Sequence, residues 1–256
     1  MDLLAELLRR TSHFRGKRWL LQLWTRRHPG MRTRILPGGL SMTLRMDSPY
    51  EATIWLGLEE RRELKALPGL LRRGDVFIDC GANLGLWALV AAPIVGAQGA
   101  VIAFEPNPHS AKRLREHASQ AEGIIDVREL ALGKLAGEGK LMLGSEHSVA
   151  HLSDSGTVPV RVTTLDVELE GPPAGIKIDV EGSELEVLTG AERMLYHRPW
   201  IAVEFNSTYA GDCSLGDWPV GRLLNRLGYN ALSFSGRQLP DSWRPKRDYE
   251  NVLFTA

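Results

Sequence analysis

At 256 residues, 43% apolar and 24% charged, the chain is long enough to bury one substantial core and lies outside the compositions of disordered or fibrous proteins. Its 31 basic and 31 acidic residues cancel overall, but residues 1–34 carry a net +7 and the rest a net −7. An acidic body lacks the basic footprint that phosphate neutralisation needs, which argues against nucleic acid as the principal partner.

Cys80 and Cys213 are the only cysteines, with no CxxC pair and no cysteine–histidine cluster at zinc spacing, so the sequence predicts a reducing compartment. No apolar run reaches the roughly 18 residues of a membrane span, and the first residues lack the unbroken apolar core of a signal peptide. The expected location is the cytoplasm. The expected organisation is an N-terminal helical arm and short hairpin over 1–50, followed by one catalytic domain over 51–256.

Leu3, Leu4, Leu7 and Leu8, then Trp19, Leu20, Leu23 and Trp24, recur at helical spacing with arginines filling the other face. The pattern predicts two amphipathic helices broken near Gly16, packed as an arm on the main domain; docking on a partner or a membrane surface is the alternative. Arg32 to Leu36 and Leu40 to Arg45, separated by Gly38-Gly39, read as a hairpin. Ala52 to Leu71 reads as helical, with Pro68-Gly69 near its end.

From Asp75 onward, short β-branched runs alternate with helical stretches, which predicts a parallel sheet covered on both faces. The expected order is a strand at Val76 to Asp79, a helix at Leu84 to Ile94, a strand at Val101 to Glu105, a helix at His109 to Ala121 and a strand at Ile124 to Leu130. Lys140 to Leu143 and Val158 to Thr163 read as strands with no helix between them. Alternation resumes with a strand at Gly175 to Val180, a helix at Ser183 to Leu195, a strand at Trp200 to Phe205 and a helix at Trp218 to Leu227. Strands at Tyr229 to Phe234 and Asn251 to Thr255 are too close for a crossover and should pair antiparallel. The fold class is therefore α/β and Rossmann-like, with a mostly parallel seven-stranded sheet finished by an antiparallel strand.

Two segments carry chemistry. In Val76-Phe77-Ile78-Asp79-Cys80-Gly81-Ala82-Asn83-Leu84-Gly85, an acid and two glycines stand at a strand-to-helix turn on the carboxyl edge of the sheet, where the backbone can approach a ligand closely. The spacing D-x-G-x-x-x-G departs from the G-x-G-x-x-G of dinucleotide enzymes and favours S-adenosylmethionine (SAM) over NAD. Asp79 is placed to accept a hydrogen bond from the methionine end of that cofactor. Glu105, ending the second core strand, is placed to take both ribose hydroxyls. Pro106 stiffens the turn behind it, and Glu129, Leu130 and Ala131 fall where an adenine would lie.

The second segment is Ile176-Lys177-Ile178-Asp179-Val180-Glu181-Gly182-Ser183-Glu184. Its carboxylates leave the sheet at the same edge, and a crowded carboxylate can serve as general base toward a hydroxyl. Asp179 is the leading candidate and Glu181 the next, while Glu184 and Glu186 suit a helix start. In the polar loop Gly144 to Thr157, Glu146, His147 and His151 are within reach of a substrate; a histidine titrates near neutrality, which makes either His147 or His151 a further candidate base. Asp179 and Glu181 together are compatible with a magnesium ion, but their spacing does not demand one, and no metal site is assigned.

Taken together, GDVFIDCGANLG, VIAFEPNP, ALG, TLD, IKIDVEGSELEVLTGA and WIAVEFN, spanning about half the chain, resemble the FkbM family of SAM-dependent methyltransferases. The resemblance implies a class I SAM methyltransferase fold and cofactor contacts at Asp79, Gly81, Asn83, Gly85 and Glu105, to which the strand-end positions add Pro106 and Ala131. It implies another at Glu59, although Leu58 replaces the aromatic residue usual before it. Glu204, similar to the family's acid at the end of the fifth strand, becomes a candidate substrate contact, as His151 is from its place in the polar loop. The implied activity is O-methylation of a hydroxyl on a sugar, polysaccharide or secondary metabolite. Peripheral membrane contact through the N-terminal helices and a homo-oligomer stay open. The competing class is a non-catalytic SAM-binding protein that docks through its basic helices.

Overall fold

A computed structural model describes residues 17–144, 150–246 and 248–256 of the chain. The helix Lys17–Arg27 is the second half of the predicted arm, whose first half lies outside the described residues. Trp24 is buried, its ring stacked on Trp55 at 5.6 Å and on His28 at 4.7 Å, with the Arg32 guanidinium over both indoles. The described part of the basic segment therefore packs on the body of the protein.

Strands β1 (Met31–Ile35) and β2 (Ser41–Arg45) form the hairpin, paired antiparallel from Met31 with Arg45 to Ile35 with Ser41. β2 turns Met42 and Leu44 inward, and both are fully buried. The single helix expected from Ala52 to Leu71 is two, Pro49–Leu56 and Arg61–Leu70. Ser48 caps the first by accepting from the Glu51 N–H, and Gly57 ends it with φ +71°. The chain is re-aimed by Glu60 at φ +42°, a left-handed conformation uncommon outside glycine and asparagine.

This N-terminal layer is pinned by Glu51. It is 2% exposed and accepts from the Arg45 N–H (2.6 Å), Arg45 Nε (2.9 Å), and both terminal nitrogens of Arg113 (2.7 and 2.8 Å) on the helix Pro108–Ala118. Burial pushes its carboxyl up; the bonds from Arg113 and Arg45 outweigh that and hold it below the usual carboxylate value. His117 Nε2, accepting from the Thr43 N–H, and Gln120, bonded to Ser41, continue the seam.

The remaining strands are β3 (Val76–Cys80), β4 (Ala100–Phe104), β5 (Ile125–Arg128), β6 (Ala131–Leu132), β7 (Gly137–Leu143), β8 (Ala150–Leu152), β9 (Val158–Thr163), β10 (Gly175–Ile178), β11 (Trp200–Asn206), β12 (Asn230–Leu232) and β13 (Tyr249–Thr255). Seven make the main sheet in the order β12-β13-β11-β10-β3-β4-β5. β13 lies antiparallel between β11 and β12, and the β5-to-β11 part is parallel throughout. The order reverses between β3 and β10, the switch point at which such sheets open a crevice at their carboxyl ends.

Period-two alternation divides the core between the two sheet faces. Phe77, Val101, Ala103 and Ala202 face the helix Leu86–Val95 and the N-terminal layer, whereas Ile78, Cys80, Ile176, Ile178 and Val203 face the helices Glu184–Thr189 and Pro219–Arg226. Two expectations change. The third strand stops at Arg128, and the following residues enter a second sheet, β6-β9-β7-β8, which holds the predicted Lys140 and Val158 strands. The helix expected from Ser183 to Leu195 breaks at Gly190, where the Gly133 carbonyl comes too close for a Cβ. Among the described residues no helix is long and apolar enough to cross a membrane.

Replacing Glu51 with Gln should lower unfolding stability by about 3 kcal/mol, the low end for a broken buried pair, because Arg113 and Arg45 keep some access to water. Urea titration checks this. Because the folded carboxyl sits below its unfolded value, the wild-type advantage is complete above the unfolded carboxylate pKa and vanishes as the pH falls through the lower folded one.

Candidate active site

A cleft of about 800 Å3, counting the space open to solvent, lies at the β3/β10 switch point. Its floor is the turn after β3. Gly81 has φ +77°, and a Cβ on it would overlap the carbonyl oxygen of Asp179, so only glycine lets the two motif-bearing loops meet. The Gly81 and Ala82 N–H groups both donate to the Phe104 carbonyl, fastening the turn to the end of β4. Gly85, at φ +89°, does not line the cleft; a Cβ there would strike Leu114, so this glycine serves helix packing.

Glu105 is 6% exposed and lines the cleft. One oxygen accepts from the Asn83 N–H and the other from the Asn107 N–H, each at 2.8 Å. These two bonds fix the carboxylate and leave further lone pairs for a ligand. Burial pushes its pKa up to about 7 against the pull of both backbone donors. Asn83 and Pro106 line the cleft beside it, and Leu130, Ala131, Leu132 and Leu141 form an apolar panel opposite. Glu129 points away and pairs with Arg115 at 2.8 Å.

Asp79 lies beneath the turn, 1% exposed. Its Oδ2 accepts from the Ala88 N–H at 3.2 Å and Oδ1 has no hydrogen-bond partner. Burial raises it to about 6, with Lys177 opposing. Lys177 stands beside it in register on β10, 4% exposed, and donates to Asp179 Oδ2 at 2.8 Å. Burial alone would lower the lysine, but Asp179, Glu60 and Asp79 together push it above its ordinary value.

Asp179 and Glu181 both line the cleft. Glu181 holds φ +54°, and burial followed by the charge of Asp179 lifts it to about 7. Glu204, at the end of β11, lies behind them and outside the cleft wall; it accepts from Asn206 Nδ2 at 3.2 Å and is pushed up by burial, Asp179 and Glu181. His151 on β8 does not line the cleft, and its ring approaches Tyr209, 6.0 Å between centroids. His147 and Glu146 lie outside the described residues. Among the described residues no three His, Cys, Asp or Glu side chains converge as a metal-ligand set.

Glu59 turns out of the cleft, accepting from Thr53 Oγ1 at 2.6 Å and from the Tyr249 hydroxyl at 3.5 Å. Its neighbour Glu60 takes the wall position with Tyr50 and Trp87. Asn251 Nδ2 donates to Glu60 at 3.1 Å; burial is the main cause of a pKa near 8, with Lys177 pulling down and Asp179 and Glu59 pushing up. Glu60, Tyr50, Trp87 and Lys177 escaped the sequence reading. Lys177 was legible, since i and i+2 share a strand face and a lysine two before Asp179 is in pairing range.

A switch-point crevice with a glycine turn as its floor and a buried acid one strand over defines a Rossmann-like α/β protein with a cleft at the carboxyl edge of its sheet. The chain belongs to the family described as the Methyltransferase FkbM domain, whose model matches residues 79–230. It is 29% identical over 166 residues to the hexuronic acid methyltransferase AglP of Haloferax volcanii, covering 60% of this chain and 66% of that protein. Among solved structures it is similar to methyltransferase FkbM from Methylobacillus flagellatus KT (18% identity, 80% of this chain, 54% of that chain, TM-score 0.47). It is also similar to the tRNA (uracil-54, C5)-methyltransferase of Pyrococcus abyssi in complex with S-adenosyl-L-homocysteine (11% identity, 88% and 44% covered, TM-score 0.47). The chain thus spans slightly less than two thirds of the curated relative it matches.

Gly81→Ala should cost about 1–3 kcal/mol from left-handed strain and at least as much again from the clash with Asp179, and should abolish binding in the cleft. Thermal melting with and without nucleoside ligand measures both losses. Gly74→Ala, at φ +87° with open space around its Cβ, reports strain alone.

Proposed function

We propose that the chain is a SAM-dependent methyltransferase acting on a hydroxyl of a sugar, polysaccharide or secondary metabolite. The observation that carries this is Glu105, buried, fixed by two backbone donors and facing a cleft floored by Gly81. Family membership and a relative named for methylating a hexuronic acid support the substrate class.

The residues fit the cofactor. Glu105 offers paired acceptors to a ribose diol. The panel from Leu130 to Leu132 with Leu141 offers apolar contact to a flat heterocycle, and Gly81 and Asn83 line the wall where the amino-acid tail would run. When bound, SAM would supply an electrophilic methyl on a sulfonium for transfer to an acceptor oxygen, the thioether being the leaving group and the hydroxyl proton passing to a base of the chain.

The chain's own work is to bind, orient and deprotonate. Lys177 fixes one oxygen of Asp179, whose side chain keeps 24% of its surface exposed toward the acceptor space. Asp179 is the leading candidate to take the hydroxyl proton. Glu181, with a value near 7, is matched to the same task at neutral pH. Glu204 backs this pair, and His151 flanks it through Tyr209.

Glu105→Gln should weaken SAM and its demethylated product alike by about 10- to 100-fold, the loss of charge-assisted hydrogen bonds, as read by calorimetry. No heat from either ligand with the intact protein would end the proposal. Asp179→Ala and Glu181→Gln separate the two acids: the one that takes the proton should lower methyl transfer to a hydroxyl acceptor by about 10²–10⁴-fold while changing cofactor affinity far less.

A further inference from the structure

One aromatic ring beside the cleft is exposed and yet fixed in place. Tyr209 lies outside the cleft wall and is 38% exposed. Gly182 beside it has φ +104°, and a Cβ there would come within 2.8 Å of the ring, so the turn after Asp179 is kept bare where the tyrosine packs. The tyrosine hydroxyl donates to Glu181, the preceding residue of that turn. His151 approaches from the second sheet, its ring centroid 6.0 Å away and its plane tilted by 54°. On β8, Ala150 and Leu152 line the cleft, and strand alternation turns His151 between them to the other side, toward Tyr209.

The backbone that carries the ring is tied as firmly. Tyr209 stands in the helical turn Ser207–Ala210, and Asn206 at its start accepts from the Thr208 N–H at 3.0 Å while donating to Glu204 at 3.2 Å. Ser207 donates twice to the Asp248 carbonyl, from its N–H at 2.8 Å and its Oγ at 2.9 Å. A large ring held in this way at the surface loses little freedom when a ligand lies against it, so its contact area converts efficiently into affinity.

The chemistry around the ring selects the ligand. An ionised carboxylate only accepts hydrogen bonds and so recognises hydroxyls, and Glu181 meets Tyr209 where it also lines the cleft. The face of an aromatic ring is electron-rich and receives weakly positive C–H groups. A saturated sugar ring presents both partners, C–H groups on its face and hydroxyls around its edge. We propose that Tyr209, with His151 beside it, is the platform on which a pyranose ring of the methyl acceptor rests, with Glu181 accepting from a hydroxyl at the edge of that ring. This rests on the reading of the cleft as a SAM site and deepens it, naming the acceptor as a sugar and the residue that carries it. Glu181 is the one residue common to the two spaces, which places the bound hydroxyl where the cleft and the platform join.

Saturation-transfer NMR on the methyl glycosides of glucose, galactose, mannose and glucuronic acid, with the cleft filled by S-adenosylhomocysteine, tests the platform without requiring methyl transfer. At least one glycoside should receive saturation, strongest at the C–H protons of one ring face. Tyr209→Phe, which keeps the aromatic face, should hold that glycoside within about threefold of the wild-type affinity, whereas Tyr209→Leu and Tyr209→Ala should weaken it by about tenfold. His151→Ala should weaken it less. Calorimetry should find S-adenosylhomocysteine bound within about twofold of wild type by every variant, which also shows that each is folded. The inference is overturned by saturation of none of the glycosides, by equal affinity in the Leu or Ala variant, or by saturation of catechol in place of the sugars, and in each case the SAM site stands. Failure of the intact protein to bind S-adenosylhomocysteine would instead remove the reading on which the platform rests.

Discussion

The closest constraint in the molecule is the absence of a side chain at Gly81. The turn after β3 and the end of β10 approach until no atom fits between Gly81 and the Asp179 carbonyl, and each loop carries one of the two chemistry-bearing segments. One loop leads to the helix start and, through Asn83, to Glu105; the other presents Asp179 and Glu181. Their contact fixes how far a ligand lying against the first loop would stand from a carboxylate on the second. Catalysis by positioning depends on such distances, since the entropy of bringing two groups together is spent in folding and not during the reaction.

Around that contact the charges follow from sheet geometry. Asp79 and Lys177 pair in register on β3 and β10, Glu204 and Asn251 on β11 and β13, and Asp179 continues the Lys177 face. One face of the sheet's carboxyl edge therefore gathers acids about one buried lysine, in surroundings where charges interact more strongly than in water. Lys177 could not be buried alone, and the acids would not crowd so closely without it. The opposite face at the same level holds Ile176, Ile178 and Val203 and is apolar throughout. A single strand register thus separates a charged face from a packing face.

The main sheet was legible because its strands are short apolar runs set between helical periods, and the two motif segments were legible because their residue types are unusual at strand ends. What was missed depended on non-local geometry. The break at Gly57 to Glu60 looked like continuous helix, since Glu59 and Glu60 are good helix formers; the left-handed φ that turns Glu60 into the cleft is imposed by tertiary packing. Glu59 and Glu60 are neighbours of the same type, and nothing local says which faces inward. The second sheet escaped notice for a related reason: β6 is two residues long and pairs with β9 about thirty positions later, a ladder without any local pattern.

The family match covers 79–230, yet the wall of the cleft draws on residues outside it. Tyr50 and Glu60 come from before that range, and Asn251 and Tyr249, which hold Glu60 and Glu59, come from after it. Their placement depends on the N-terminal layer, itself fastened by Glu51 to Arg113 and by Trp24 stacked on Trp55. The matched core supplies a crevice with a glycine floor and the buried acid Glu105. Its surroundings add Glu60 and Tyr50 to the lining of that crevice. The hairpin and the helices after it are accordingly part of the site's chemistry: loosening the Glu51 seam would displace Glu60 and change the electrostatics of a cleft whose floor had not moved.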